Sequence, residues 1–130
     1  MEMCICGSQK VFAHCCQPLL TGKVRARTVR QLVRSRYAAY ALGEYADYLK
    51  KTWHPSTARN ISIADLGSRD YQWLSLQIVR YLQKGDMGQV EFKAMYRKAD
   101  GTEKIHHEIS VFQRRKGVWY YYDGQQLSPA

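Results

Sequence analysis

The stretch YQWLSLQIVRYLQKGDMGQVEFKAMYRKADGTEKIHHEISVFQRRKGVWYYYD, residues 71–123, decides the fold. Its apolar side chains alternate in four runs, at about 72–83, 88–99, 104–115 and 118–123, and Gly85-Asp86, Asp100-Gly101 and Lys116-Gly117 separate them. This pattern predicts a meander of antiparallel hairpins. Upstream the period changes. Thr28 and Gln31 form a capping-box pattern, after which Val29, Leu32, Val33, Tyr37, Tyr40 and Ala41 recur at helical spacing until Gly43. A shorter helix is expected from about Glu44 to Thr52, with Tyr45, Tyr48, Leu49 and Trp53 inward and His54-Pro55 ending it. Residues 56–70 mix Ser, Asn, Gly and charge and predict a loop with at most one helical turn. Helices first and strands after make an α+β domain with its helices on one face of the sheet.

The chain's four cysteines all lie in the first sixteen residues, as Cys4-x-Cys6 and Cys15-Cys16. Two close pairs across an eight-residue loop suit a tetrahedral thiolate site, with Gly7-Ser8 as the turn, and so predict structural zinc. Disulfides are the alternative. However, pairing Cys4 with Cys6 and Cys15 with Cys16 would close very small rings, and no apolar export run precedes Cys4. Redox chemistry is a further alternative, and His14 is a rival fourth ligand, ranked behind the cysteines as a neighbouring donor.

Cys4-x-Cys6-Gly7-Ser8 followed by Cys15-Cys16 resembles the SEC-C motif, a short zinc-binding element also found at the C-terminus of the SecA translocation ATPase. This chain departs from the motif's usual form with Ile5 and Gln9, where proline and glycine are common. The run Arg34 to Gly43, then Tyr48-Leu49, Thr52-Trp53-His54-Pro55, Gly88 to Ala94, His107 to Phe112 and Gly117 to Gly124, resembles the YchJ-like family of small bacterial proteins. The resemblance implies a SEC-C element over residues 1–20 and, over 21–130, a domain similar to nuclear transport factor 2, a cone of curved antiparallel sheet closed by helices. It carries over no activity.

In such a cone, the inner sheet face and the helices enclose a cavity. Glu108, Ser110 and Phe112 share one face of the third strand and are assigned to it, whereas Ile105, His107, Ile109 and Val111 share the other. Arg34, Arg36, Tyr37, Tyr40, Trp53, His54, Trp119 and Tyr121 are the further candidates to line the cavity. Glu108 is expected to be buried and paired with Arg34 or Arg36, and His54 with Glu108 is the candidate acid–base pair. His106 and His107 point to opposite faces, which argues against a joint metal site. The outer sheet face is also partly apolar and suggests a homodimer or a covering terminal segment.

At 130 residues the chain suits one domain, with the zinc element expected as an appendage whose core is separate. No stretch approaches the roughly 18 consecutive apolar residues of a membrane span, which predicts a cytoplasmic protein. The formal charge is +9. Lys10, Lys23, Arg25, Arg27, Arg30, Arg34 and Arg36 are interrupted by no acid, a bias that attracts phosphate backbones or an acidic protein face and equally suits a solvated helix. Two functions follow as expectations. The first is a non-catalytic binding or adaptor protein that meets a protein or nucleic-acid partner through the segment Lys10 to Arg36. The alternative is a small-ligand carrier or enzyme using the cone cavity. A cavity filled by Trp53, Phe92 and Trp119 would favour the first, and an open one with converging, unpaired polar groups the second.

Overall fold

The computed structural model describes residues 2–58 and 71–127. Among the described residues, four α-helices, α1 (Gln17–Leu20), α2 (Val29–Leu42), α3 (Ala46–Lys51) and α4 (Pro55–Ala58), precede four strands, β1 (Gln72–Lys84), β2 (Met87–Arg97), β3 (Glu103–Arg115) and β4 (Val118–Gln126). The strands pair in sequence order as an antiparallel meander. Gly85, Gly101 and Gly117 all take positive φ at the hairpin turns, which is where glycine relieves the Cβ clash. Register shifts at Trp73/Ser75 and Ile78/Arg80 in β1, and at Val111/Phe112 in β3, add local twist and bend the sheet into the curved wall of a cone.

Thr28 caps α2, its hydroxyl accepting from the Gln31 backbone N–H at 3.1 Å, and Gly43 ends the helix in the left-handed region at φ 73°. Gln31 completes the cap one residue earlier than a capping box would, accepting from Arg27 N–H at 2.7 Å. The second helix is shorter than expected. It runs from Ala46, after Tyr45 at the N-cap, and Pro55 opens α4 instead of merely ending its predecessor, as a proline can in a first helical turn. The rest of the predicted 56–70 loop lies outside the described residues.

Helix α2 lies across the concave face of the sheet. Val29, Leu32 and Val33 pack with Val90, Phe112 and Trp119 at one end. Gly88 makes this approach feasible, because a Cβ there would meet Val29 Cγ1 at 2.6 Å. At the other end Tyr37, Ala38 and Ala39 join Tyr48, Leu49 and Ala94, and in the same cluster lie Cys4, Cys6, Cys16, Leu19 and Leu20. The cysteine element is therefore not the separate appendage expected. Its buried cysteines and the two leucines of α1 share one core with α2 and the sheet, and Arg34 fastens it by donating to the Cys6 carbonyl at 2.8 Å.

The edge of β4 is also covered. Tyr121 N–H donates to Thr52 O at 2.8 Å and His54 N–H to Tyr121 O at 2.7 Å, so residues 52–54 add a short parallel bridge to the sheet. No helix among the described residues is long and apolar enough to cross a membrane.

Candidate functional site

The four cysteine Sγ atoms all lie within 4.8 Å of one another. A short hairpin brings them together, with Cys4 N–H donating to Lys10 O and Phe12 N–H to Glu2 O, while Cys16 enters α1. Ser8 Oγ meets Cys15 Sγ at 3.1 Å. Cys6 and Cys15 are 3.6 Å apart and Cys15 and Cys16 4.0 Å, against about 3.8 Å for the edges of a tetrahedron with 2.3 Å metal–sulfur bonds. All four are free thiols. Contact from the Cys16 thiol draws Cys6 down to about 4, while that same contact and burial drive Cys16 far up, and burial raises Cys4. One thiolate thus opposes the next, and a divalent cation at the centre is what would let all four ionise. The donor set fits a metal. His14 is exposed and outside the cluster.

A cavity of about 360 Å³ lies between α2 and the inner sheet face. Its walls are Val33, Arg36, Tyr37 and Tyr40 from α2, Trp53, and Tyr71, Trp73, Phe92, Ala94, His106, Glu108, Ser110, Phe112 and Tyr121 from the segment leading into the sheet and the sheet itself. The structure thus brings together Arg36, Tyr37, Tyr40, Trp53, Glu108, Ser110 and Tyr121 of the sequence candidates. Arg34, His54 and Trp119 lie elsewhere. Arg34 turns toward the cysteine hairpin. His54 is buried near the rings of Tyr120 and Tyr122, with its Nδ1 2.7 Å from Ser56 Oγ. Trp119 belongs to the core at the far end of α2.

The Glu108 carboxylate is half-buried rather than buried as expected, and neither arginine hydrogen-bonds it. Its Oε1 lies 2.8 Å from His106 Nε2, and its Oε2 accepts from Ser110 Oγ at 2.5 Å and from Tyr121 OH at 3.1 Å. Burial pushes its pKa up, yet these hydrogen bonds and the adjacent imidazole outweigh that and hold it below the usual value. Three donors already satisfy the carboxylate, so the expected Arg–Glu108 pair has no role to fill. Gly124 leaves room for this cluster, since a Cβ there would collide with Glu108 and the Tyr121 hydroxyl. The expected His54–Glu108 acid–base pair does not form; the histidine that meets Glu108 is His106, which the sequence reading missed. The signal was present, because His106, Glu108 and Ser110 sit two residues apart on one strand and so share a face. On the opposite face His107 meets Glu91, which also pairs with Arg80.

Arg36 is the other charge in the cavity. Its guanidinium lies 4.9 Å from the centre of the Trp53 ring and 4.7 Å from that of Tyr121. Its Nη1 donates to Leu49 O at 2.8 Å and to Thr52 Oγ1 at 2.6 Å, and the Tyr40 hydroxyl is a further hydrogen-bonding neighbour. Burial draws its pKa below the ordinary value, opposed by the nearby Tyr40, Tyr121, Tyr48 and Glu108. Burial likewise raises Tyr40, Tyr121 and Tyr37, the last to about 12, so the phenols stay protonated at neutral pH. Tyr37 also feels Cys6, and thus lies between the cavity and the cysteine cluster.

A curved four-stranded sheet, a helix over its concave face and a four-cysteine hairpin docked beside them define a nuclear transport factor 2-like domain with an N-terminal SEC-C motif. The model of the YchJ middle NTF2-like domain matches residues 28–124 and that of the SEC-C motif residues 2–18. The chain belongs to this YchJ-like family. A UPF0225 protein of Deinococcus radiodurans is 42% identical over 95% of this chain and 88% of its own length. Another, of Geobacter sulfurreducens, is 37% identical over 98% and 81%. The solution structure of a SEC-C motif containing protein from Rhodopseudomonas palustris superposes with a TM-score of 0.90 at 36% identity, covering 96% of this chain and 98% of that one.

Proposed function

We propose that the protein binds a small, mostly apolar ligand in the cavity under α2, and that its four cysteines hold a structural zinc ion. The observation that carries the first part is the cavity itself. At about 360 Å³ it falls in the range of small-molecule sites, and its walls are aromatic with a few polar groups at fixed positions. Trp53 and Phe92 border this space without filling it, and Trp119 is remote. That openness weighs toward the carrier reading over the adaptor reading, whereas the polar half of the criterion is met only in part, since His54 lies outside the cavity and Glu108 is paired. Zinc is supported by the SEC-C match and by the sulfur spacing; four thiolates complete its shell and leave no open position for chemistry.

Ala94 is 1% exposed on the cavity wall, so Ala94→Phe places a ring in the space. The wild type should bind naphthalene-2-carboxamide, followed by tryptophan fluorescence, and Ala94→Phe with a native circular dichroism spectrum should not. Equal binding by both proteins would contradict the reading.

One observation favours a second role. Lys23, Arg25, Arg27 and Arg30 are all exposed, and residues 22–27 with Arg114 and Trp119 line a shallow groove. A polyanionic partner fits that strip electrostatically. A cytoplasmic location, and self-association through the outer face where Leu82 and Ile105 are exposed, belong to the same proposal.

A further inference from the structure

The polar groups of the cavity differ in what they have left to offer. Glu108 is occupied by His106, Ser110 and Tyr121, three donors on one carboxylate. Its remaining acceptor capacity is small. The site where aromatic rings would hold a ligand cation is likewise taken, because Arg36 itself lies beside Trp53 and Tyr121. Arg36 remains incompletely used. Nη1 donates to a neutral carbonyl and a neutral hydroxyl, the neutral Tyr40 phenol is a further hydrogen-bonding neighbour, and among the described residues no carboxylate forms an ion pair with it. A guanidinium carries five donors in a planar fork. Three neutral partners leave part of that fork unused, on a side chain that is only 7% exposed and lines the cavity with Tyr40.

A buried cation without a bonded counter-ion favours an anion that brings its own apolar body, because the body recovers by burial what the charge loses in desolvation. The volume is that of about twelve waters at 30 Å³ each, room for a bicyclic ring system with a short substituent. The single guanidinium and the nearby Glu108 carboxylate favour a monoanion over a phosphate dianion, whose second charge would find only repulsion. We propose that the cavity takes a small aromatic carboxylate, its head on Arg36 and Tyr40 and its ring system against Trp53, Trp73, Phe92 and Phe112. This rests on the ligand-binding reading above and names the ligand class.

The test compares naphthalene-2-carboxylate, naphthalene-2-carboxamide and naphthalen-2-ylmethylammonium by calorimetric titration of the full chain at pH 7.5. The expected result is that the carboxylate binds at least ten-fold tighter than the other two, and that Arg36→Gln reduces the preference over the amide to less than three-fold. Should Arg36→Gln fail to fold, Arg36→Lys keeps a charge but loses the planar fork, and is expected to weaken the carboxylate at least five-fold while leaving the amide unchanged. Amide and carboxylate binding equally would overturn the inference yet leave the cavity a ligand site. Preference for the ammonium ion would also overturn it and assign recognition to Glu108. Failure of all three probes to bind at millimolar concentration would overturn the ligand-binding reading itself.

Discussion

Replacing Glu108 with glutamine tests how the polar floor of the cavity is held. The carboxylate gathers contacts of 2.8, 2.5 and 3.1 Å from His106, Ser110 and Tyr121. Glutamine keeps the shape, one oxygen and no charge. Its oxygen can still accept from Ser110 and Tyr121, and its amide can face His106 once that ring turns its Nε2 lone pair inward. The loss is then the charge-assisted part of the cluster, about 1.5–3 kcal/mol. With a urea slope of about 1–3 kcal/mol/M, the unfolding midpoint at pH 7 should fall by about 1 M. The pH dependence is a second signature. Glu108 has a depressed folded pKa, so its contribution is complete above the unfolded value of about 4.3 and disappears as pH falls through the folded one. The gap between wild type and Glu108→Gln should therefore close below pH 4, where the carboxylate is protonated. Taking the difference between the two proteins removes effects common to both, such as protonation of the cysteines. A gap under 0.5 kcal/mol at neutral pH, or one that persists undiminished below pH 4, would refute the account of this cluster.

Gly88→Ala should cost about 1–3 kcal/mol in a urea titration, because its new Cβ would fall 2.6 Å from Val29 Cγ1 and force α2 off the sheet. Cys15→Ser should lose bound zinc by atomic absorption. It should also lower the stability of the whole domain in one cooperative calorimetric transition, because Leu19 and Leu20, each about 1.5–3 kcal/mol when fully buried, share the core with Leu49 and Ala94. Two separate transitions would restore the independent appendage. Charge reversal at Arg25 and Arg27 together should abolish the salt-sensitive retention of the protein on an immobilised polyanion, measured against sodium chloride concentration.

Much of this fold is written in local signals. The strand alternation and the glycine turns at 85, 101 and 117 act over a few residues, and so do the Thr28 cap and the Gly43 stop. The cysteine cluster is equally legible, since nearness in sequence makes nearness in space inexpensive. Long-range pairing is different. Both arginines in the middle of α2 had plausible routes to Glu108, but Arg34 and Arg36 sit two positions apart on the helix and face different directions. One reaches the cysteine hairpin 28 residues back in the chain and the other lies between aromatic rings. No spacing rule selects those partners, because they depend on where the hairpin docks. His54 was misplaced for a related reason: its backbone closes the β4 edge, which carries its ring away from the cavity and toward Tyr120 and Tyr122. His106 is legible at its two-residue spacing from Glu108, which puts both on one face of β3.

The chain contains three tryptophans, and they divide cleanly. Trp53 and Trp73 line the cavity, while Trp119 is packed in the other core cluster with its indole N–H buried. Titrating 15N-labelled protein with neutral naphthalene-2-carboxamide and following the three indole resonances is the most direct test of a ligand-binding cavity. The account predicts saturable shifts of the Trp53 and Trp73 indoles with Trp119 stationary. Unmoved Trp53 and Trp73 signals at millimolar probe, or a Trp119 shift that leads the other two, would contradict it.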